Sequence, residues 1–321
     1  MLISTARRQI LEAAEMVSSQ PLIFDRGLLR RRRLRAAALG PATFLIERVA
    51  EDLADRLAAV LRQLDCAVDL GTPTDAVRRA LAVSGKAGTI IAADATFALT
   101  GGREGTPGSR LAVAADEEAL PFRDGSLDLV VSALALQFVN DLPGTLIQVR
   151  RALRPDGLLL AALIGGDSLR ELREAFAVAE AEIEDGISPR VIPFADVREM
   201  GALLQRAGFA LPVTDIDRVT VRYESPLALM HDLRRMGATN PMLERSRRPL
   251  GRATLQRTME IYAKRFADAD RRIRATFDIV WLSGWAPHES QQKPLAPGSA
   301  RQRLADALGT TEIPAGEKPS R

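Results

Sequence analysis

Five short apolar runs, Ala67–Leu70, Thr89–Ala93, Leu111–Ala114, Leu127–Leu134 and Gly157–Ile164, succeed one another along the middle of the chain. Runs of this length without a polar face predict strands buried on both sides. Between several of them the apolar spacing changes to that of a helix, as in Asp75–Val83 and Leu142–Leu153. Strands alternating with helices predict an α/β fold whose mostly parallel sheet is covered by helices on both faces. The turn Arg154-Pro155-Asp156-Gly157 delivers the chain into the last of these strands.

On either side of this core the pattern is mainly helical. Residues 4–19 and 42–64 read as amphipathic helices, as do Ser168–Ile183 and Asp196–Ala207, the last closing at Gly208. Val213–Tyr223 alternates like a strand, with Val219 and Val221 on one face. Residues 226–268 are helical and basic with an interruption at Asn240-Pro241, and Phe277–Trp285 reads as a final strand. From Ala286 onward prolines, glycines and polar residues predict a mobile tail. The expected organisation is an N-terminal helical region with a basic run (1–64), a ligand-binding core (65–223), a helical insertion with the final strand (224–285) and the tail (286–321).

Composition narrows the class. The chain has 321 residues, 46% hydrophobic and 26% charged, as in an ordinary globular protein. One cysteine, Cys66, rules out an intramolecular disulfide framework. No apolar run is long enough to cross a bilayer and no signal-peptide core opens the chain, so a soluble, cytoplasmic protein is expected. The net charge of +3 is unevenly placed, with arginines at 30–33, 35, 245, 247, 248, 252 and 257. The Arg30–Arg33 run reads either as a solvated helix face or as a contact for an acidic partner or an anionic membrane surface. Aromatics at 4% argue against a nucleic-acid surface.

In an open parallel sheet, ligands bind beyond the carboxyl ends of the strands. There the sequence places Asp69, Gly71 and Thr72 after the first strand, Asp94 after the second, Asp116 and Glu117 after the third, and Ser132 at the end of the fourth. Asp94 suits the hydroxyls of a ribose, and Asp116 the exocyclic amine of adenine. Each acid alone has a plainer role: a turn cap for Asp69, a helix cap for Asp94 with Thr96, a solvated loop for the other two. In order, at successive strand ends, they favour an adenosine-type ligand. Several acids would repel a pyrophosphate, so the cationic S-adenosylmethionine suits the site better than NAD.

The chain resembles the class I S-adenosylmethionine-dependent methyltransferases, with a Rossmann-like seven-stranded sheet. It is most similar to the subgroup of the mitochondrial complex I assembly factor described as a protein-arginine hydroxylase. The resemblance is carried by Ile23-Phe24-Asp25-Arg26 with the basic run, by ADEEALPF at 115–122 and by LDLVVSALALQFVNDLP at 127–143. It continues in LRPDG at 153–157, GGDSLRELR at 165–173 and GWAPHESQ at 284–291. It implies cofactor contacts at Asp69, Gly71, Asp94, Asp116 and Glu117. It also implies a protein substrate, a complex I subunit among the candidates, and peripheral membrane association through Arg30 to Arg33. The family's glycine-rich loop is altered, because Pro73 and Asp75 stand where glycines are expected. Proline has no N–H and Asp75 adds charge, together costing about 1–3 kcal/mol of binding, unless Asp75 instead caps the next helix.

No catalytic base or metal set is legible. His231 and His288 have no ligand spacing, Gln137 is a candidate to face the acceptor, and Phe24 or Arg26 is placed to cover the pocket. Three expectations result. The first is a methyltransferase-fold enzyme of complex I assembly that modifies a protein, by methylation or, as the resemblance allows, by arginine hydroxylation. The second is a malonyl-acyl carrier protein methyltransferase of biotin synthesis. The third is a non-catalytic scaffold with a disabled cofactor loop.

Overall fold

The computed structural model describes residues 22–96, 111–184, 186–292, 305–306 and 309–311. The helix expected over residues 4–19 lies outside them, as does most of the predicted tail. Among the described residues, seven strands form one sheet: β1 (Leu64–Leu70), β2 (Ala87–Asp94), β3 (Leu111–Ala114), β4 (Leu127–Ala133), β5 (Leu153–Gly165), β6 (Ala210–Tyr223) and β7 (Ile273–Trp285). Their spatial order is β3-β2-β1-β4-β5-β7-β6. The first five pair in parallel, while β7 enters antiparallel between β5 and β6. The last strand in sequence is therefore an interior strand, which explains its nearly continuous burial.

The period-two alternation of strand side chains sorts the core onto two faces. Ala67, Leu129, Val131, Leu158 and Leu160 join one apolar cluster, and their neighbours Val68, Val130, Leu159 and Ala161 join the other. The first face is covered by α2 (Phe44–Ala58), α3 (Ala76–Ser84), α5 (Arg170–Ile183), α7 (Pro226–Arg235) and α8 (Arg252–Phe266). The second is covered by α4 (Leu142–Ala152) and α6 (Val197–Arg206). Helix α2 shows why such segments fold this way. Leu45, Val49, Leu53 and Leu57 form one buried stripe, and Arg48, Asp52 and Arg56 occupy other positions on the same helix.

Helix α1 (Arg26–Leu39) is a different case, because its arginines leave little apolar stripe. It starts where the Asp25 side chain accepts from the Leu28 N–H at 2.8 Å. Its entry is pinned from across the molecule. The Asn140 side chain accepts from the N–H groups of Ile23 (2.9 Å) and Phe24 (2.8 Å) and donates to the Phe24 carbonyl at 3.2 Å. Phe24 then packs edge-on against Phe138. These contacts set α1 over the carboxyl ends of the strands. The compact body runs to Pro287. Ala286, expected to open the tail, is buried and exchanges backbone hydrogen bonds with Asp156 and Gly157, so it belongs to that body.

Candidate functional site

The structure brings the acids after β2 and β3 together with three arginines of α1. Arg26, Arg30 and Arg33 are spaced four and three residues apart, which puts them on one helix face. Arg26 donates to Asp116 at 3.0 Å and also bonds Glu117, and Arg30 bonds Asp116. Arg33 lies 3.4 Å from Asp94, 3.6 Å from Glu117 and 3.3 Å from the Gly71 carbonyl oxygen. Within the basic run, Arg30 and Arg33 pair with acids of their own chain, Arg30 while remaining 41% exposed. Arg32 donates to the Thr239 and Asn240 carbonyls. Arg31 and Arg35 are the exposed members.

Asp69 is fully buried and pairs with Arg78 of α3 at 2.8 Å rather than capping a turn. Burial pushes its carboxyl up to about 6, against the pull of Arg78. Asp94 is also raised by burial, with Arg33 opposing. Its Oδ1 accepts from the Thr96 N–H at 2.5 Å, which fits the local-cap reading, but its other oxygen faces Arg33. For Asp116 burial is outweighed by the Glu118 N–H, Arg26 and Arg30, which hold the carboxyl below its usual range. The loop of these acids is fixed by Gln148 and by Thr145, whose hydroxyl donates to the Glu117 carbonyl at 3.0 Å.

The remaining predicted residues build the cradle. Gly71 has φ +69°, and a Cβ there would lie 2.5 Å from Glu117 Oε1, so only glycine fits. The Thr72 hydroxyl accepts from the Ala133 N–H at 3.2 Å, and the Ser132 hydroxyl donates to the Leu70 carbonyl at 2.7 Å. Both tie β1 to β4, so their side chains hold the loop in place. Asp75 does not cap α3. It bonds Arg79, which also reaches Glu47 at 2.6 and 2.8 Å, and the Thr74 hydroxyl accepts from the Ala76 N–H at 3.3 Å instead. Asp75 thus shares Arg79 with Glu47, so its charge is only partly offset locally.

Beside the acids lies a cavity of about 460 Å³. Pro73 and Thr74 form part of its wall, with Leu134, Gln137, Phe176 and Met230. Gln137 donates to the Leu134 carbonyl at 2.9 Å, while its Oε1 is buried without a hydrogen-bond partner. Arg33 lines the cavity and also contacts the acids, so it stands between the two compartments. Sequence reasoning missed Arg33 and Arg78. The one signal in the sequence was charge arithmetic, since a cluster of buried acids requires cations nearby. Among the described residues no three His, Cys, Asp or Glu side chains form a metal-ligand group.

Comparison with known proteins points the same way. A methyltransferase domain model matches residues 68–161, from β1 through β5. Over most of its length the chain is similar to the mitochondrial arginine-hydroxylase NDUFAF5. The identity is 36% over 287 residues with the Danio rerio protein, covering 88% of this chain and 89% of the relative. With the Homo sapiens protein it is 39% over 282 residues, 87% and 81% respectively. The chain belongs to the NDUFAF5 family. It is also similar to the malonyl-[acyl-carrier protein] O-methyltransferase of Gallionella capsiferriformans, 32% identical over 277 residues, covering 83% of this chain and 92% of the relative. A putative methyltransferase from Bacillus halodurans shares the fold at a TM-score of 0.50 and 16% identity, over 74% of this chain and 98% of that one.

The strand-end residues fit a cofactor rich in hydrogen-bond donors, although Arg26, Arg30, Arg33 and Arg78 already meet the four acids, so the preference for a cationic ligand expected from the sequence is not carried by the folded site. Asp69 Oδ1 and Glu117 Oε1 are buried acceptors with no hydrogen-bond partner. Gly71 leaves open the backbone approach a side chain would block.

Proposed function

We propose that this chain is an S-adenosylmethionine-dependent methyltransferase that modifies a protein substrate in the assembly of respiratory complex I. The observation that carries the reading is the row of strand-end acids, where Asp69 Oδ1 is buried without a hydrogen-bond partner and Glu117 Oε1 has only the 3.6 Å ion-pair contact to Arg33. Membership of the NDUFAF5 family supports a protein substrate and the assembly role; methyl transfer rests on the methyltransferase domain model and the acyl-carrier-protein methyltransferase relatives, since the NDUFAF5 relatives are named arginine-hydroxylases.

When bound, the cofactor supplies an electrophilic methyl group on a sulfonium. Asp69 and Gly71 would hold its amino-acid end, Asp94 the ribose, and Asp116 with Glu117 the adenine side. Arg33 would exchange its contact with Asp94 for a neighbour on the cavity side, leaving that carboxylate to accept from hydroxyls. Pro73, Leu134 and Gln137 shape the chamber beside it, and its apolar surface excludes water around the acceptor. Transfer of this kind depends on in-line positioning more than on a strong base, so a site without an evident base is adequate. On this reading the reaction takes place in the cytoplasm or at the inner face of the membrane; among the described residues no helix is long and apolar enough to cross one.

Calorimetric titration with S-adenosylmethionine tests the reading. Native protein is expected to bind, and Asp94→Ala to weaken binding about tenfold or more, the loss of hydrogen bonds to a charged acceptor. Absence of binding in both native protein and Pro73→Gly would refute it and favour a scaffold. A second reading, methylation of malonyl-acyl carrier protein, is favoured by the full-length similarity to that enzyme. Rescue of a biotin auxotroph would establish it, and failure would remove it.

A further inference from the structure

One nitrogen of Arg33 lies in the middle of the cradle. Its Nη1 is 3.3 Å from the Gly71 carbonyl oxygen, 3.4 Å from Asp94 Oδ2 and 3.6 Å from Glu117 Oε1. These oxygens belong to the carboxyl ends of β1, β2 and β3 or the residues just past them. A ligand group bonding them from the space between would need the place this nitrogen holds. The fit is loose, since charge-assisted hydrogen bonds normally close to about 2.7–2.9 Å. Nη2 of the same guanidinium is buried without a hydrogen-bond partner. Arg26 and Arg30 close on Asp116 in the same way.

The backbone of α1 is not free to carry these side chains away. The turn at Gly237, just past α7, has φ +69° and comes so near that a Cβ on it would lie 3.1 Å from Arg33 Cα. The Asp25 N–H donates to the Pro241 carbonyl at 2.8 Å, and the Leu243 N–H to the Ile23 carbonyl at 2.9 Å. At the far end Arg235 Nε donates to the Gly40 carbonyl at 2.8 Å. The freedom left belongs to side chains. Arg33 lines the 460 Å³ cavity and Arg30 borders solvent, so each has somewhere to turn. Arg26 is tied down further by the Phe138 carbonyl at 3.2 Å.

We propose that Arg30 and Arg33 form a side-chain gate: they occupy the adenosine half of the cradle as built-in counter-ions, and the cofactor binds by displacing them. This rests on the cofactor reading above. The amino-acid half lies outside the gate, because Asp69 pairs with Arg78 of α3. A protein whose competent state is only partly populated binds more weakly by that fraction, so removing the gate tightens binding. It also leaves Asp94 and Glu117 short of a counter-ion in the ligand-free fold, which lowers stability. Tighter binding together with lower stability is the signature of a gate. Arginines that only held the acids in place would lower both.

Calorimetry on the full chain tests this with S-adenosylhomocysteine and adenosine, alongside urea unfolding. Arg33→Gln should bind both ligands about five- to tenfold more tightly than native protein, by one shared factor, while unfolding at lower urea. Arg30→Gln should gain about two- to threefold, as suits a half-exposed pair. Arg31→Gln, on the exposed side of the same helix, controls for net charge and should change neither affinity. Raising the salt concentration screens the Arg30–Asp116 pair, so it should tighten adenosine binding to native protein more than to Arg30→Gln. Unchanged or weaker binding in Arg33→Gln, an equal gain in Arg31→Gln, or a gain for S-adenosylhomocysteine without one for adenosine would overturn the gate. Should Arg33→Gln not fold, Arg30→Gln and its salt response decide. If neither ligand binds native protein, Pro73→Gly or the arginine variants, the cofactor reading fails and the gate with it. Binding that the arginine variants do not tighten removes the gate alone.

Discussion

Replacing Gly71 by alanine perturbs two things whose sizes differ. The residue sits at φ +69°, where a Cβ costs roughly 1–2 kcal/mol of backbone strain. That Cβ would also lie 2.5 Å from Glu117 Oε1 and 3.0 Å from its Cγ. Glu117 is 1% exposed and bonded to Arg26, so its displacement should cost about 1–3 kcal/mol more. Gly85 supplies the control. It ends α3 at φ +63°, and a Cβ there would have nothing within 4 Å, so Gly85→Ala should show the strain alone. Urea unfolding of both variants at constant m-value reads the difference. Gly71→Ala is expected to lose about 2–5 kcal/mol and Gly85→Ala about 1–2, with only the former also weakening S-adenosylhomocysteine binding. Equal losses in the two variants would refute the claim that the Gly71–Glu117 approach is what requires glycine.

Three other perturbations are specific to this structure. Asp69 has a folded-state pKa raised to about 6 by burial, above its unfolded value, so the folded state takes up the proton first. Its contribution to stability therefore falls as pH rises from about 4 to about 6, by roughly 2–3 kcal/mol, and Asp69→Asn should remove that decline; denaturant midpoints with the same slope in both proteins would contradict it. Asp278 is 1% exposed and accepts from Arg218 at 2.7 and 2.8 Å, and these bonds outweigh burial to hold its carboxyl below the usual range. Its stabilisation is present above that range and lost on acidification, so Asp278→Asn should cost about 1–3 kcal/mol at neutral pH and flatten the acid limb. Pro73→Gly restores a backbone N–H and should tighten S-adenosylhomocysteine binding by about tenfold while costing under about 1 kcal/mol of stability; unchanged affinity would show that the proline is not what limits binding.

The fold was legible because its central strands β1, β4 and β5 are buried on both faces and carry their own signal, whereas Leu111–Ala114, expected to be buried likewise, is the edge strand β3 and holds no buried residue. Ala67–Leu70 and Gly157–Ile164 needed no partner to be read as strands. The position of β7 was not legible, since nothing local to Phe277–Trp285 says that it inserts between β5 and β6. The acids Asp69, Asp94, Asp116 and Glu117 could be found by asking which residues lie just beyond each strand. Their counter-ions could not. Arg33 reaches Asp94 across 61 residues and Arg26 reaches Glu117 across 91, distances over which spacing carries no information. A run of arginines looks the same in sequence whether it faces solvent or a buried acid; the Asn140 clamp on Phe24 decides which.

The folded surroundings also change the altered loop. By sequence alone, Pro73 and Asp75 subtract a donor and add repulsion where the cofactor's carboxylate would lie. In the folded chain the second effect is reduced but not removed, because Asp75 shares Arg79 with Glu47. The missing N–H of Pro73 remains, and that residue now forms cavity wall beside Thr74. The first half of the loop, Asp69 to Gly71, still faces the acids, while the second half has been given to the chamber next door. Arg33 spans the same divide from the opposite side. A loop and an arginine that each serve both compartments make separate tuning of cofactor and acceptor affinity difficult, because a change in either residue alters both. Pro73→Gly should therefore shift acceptor affinity as well as cofactor affinity, and a variant that moved one without the other would show that the two compartments are independent.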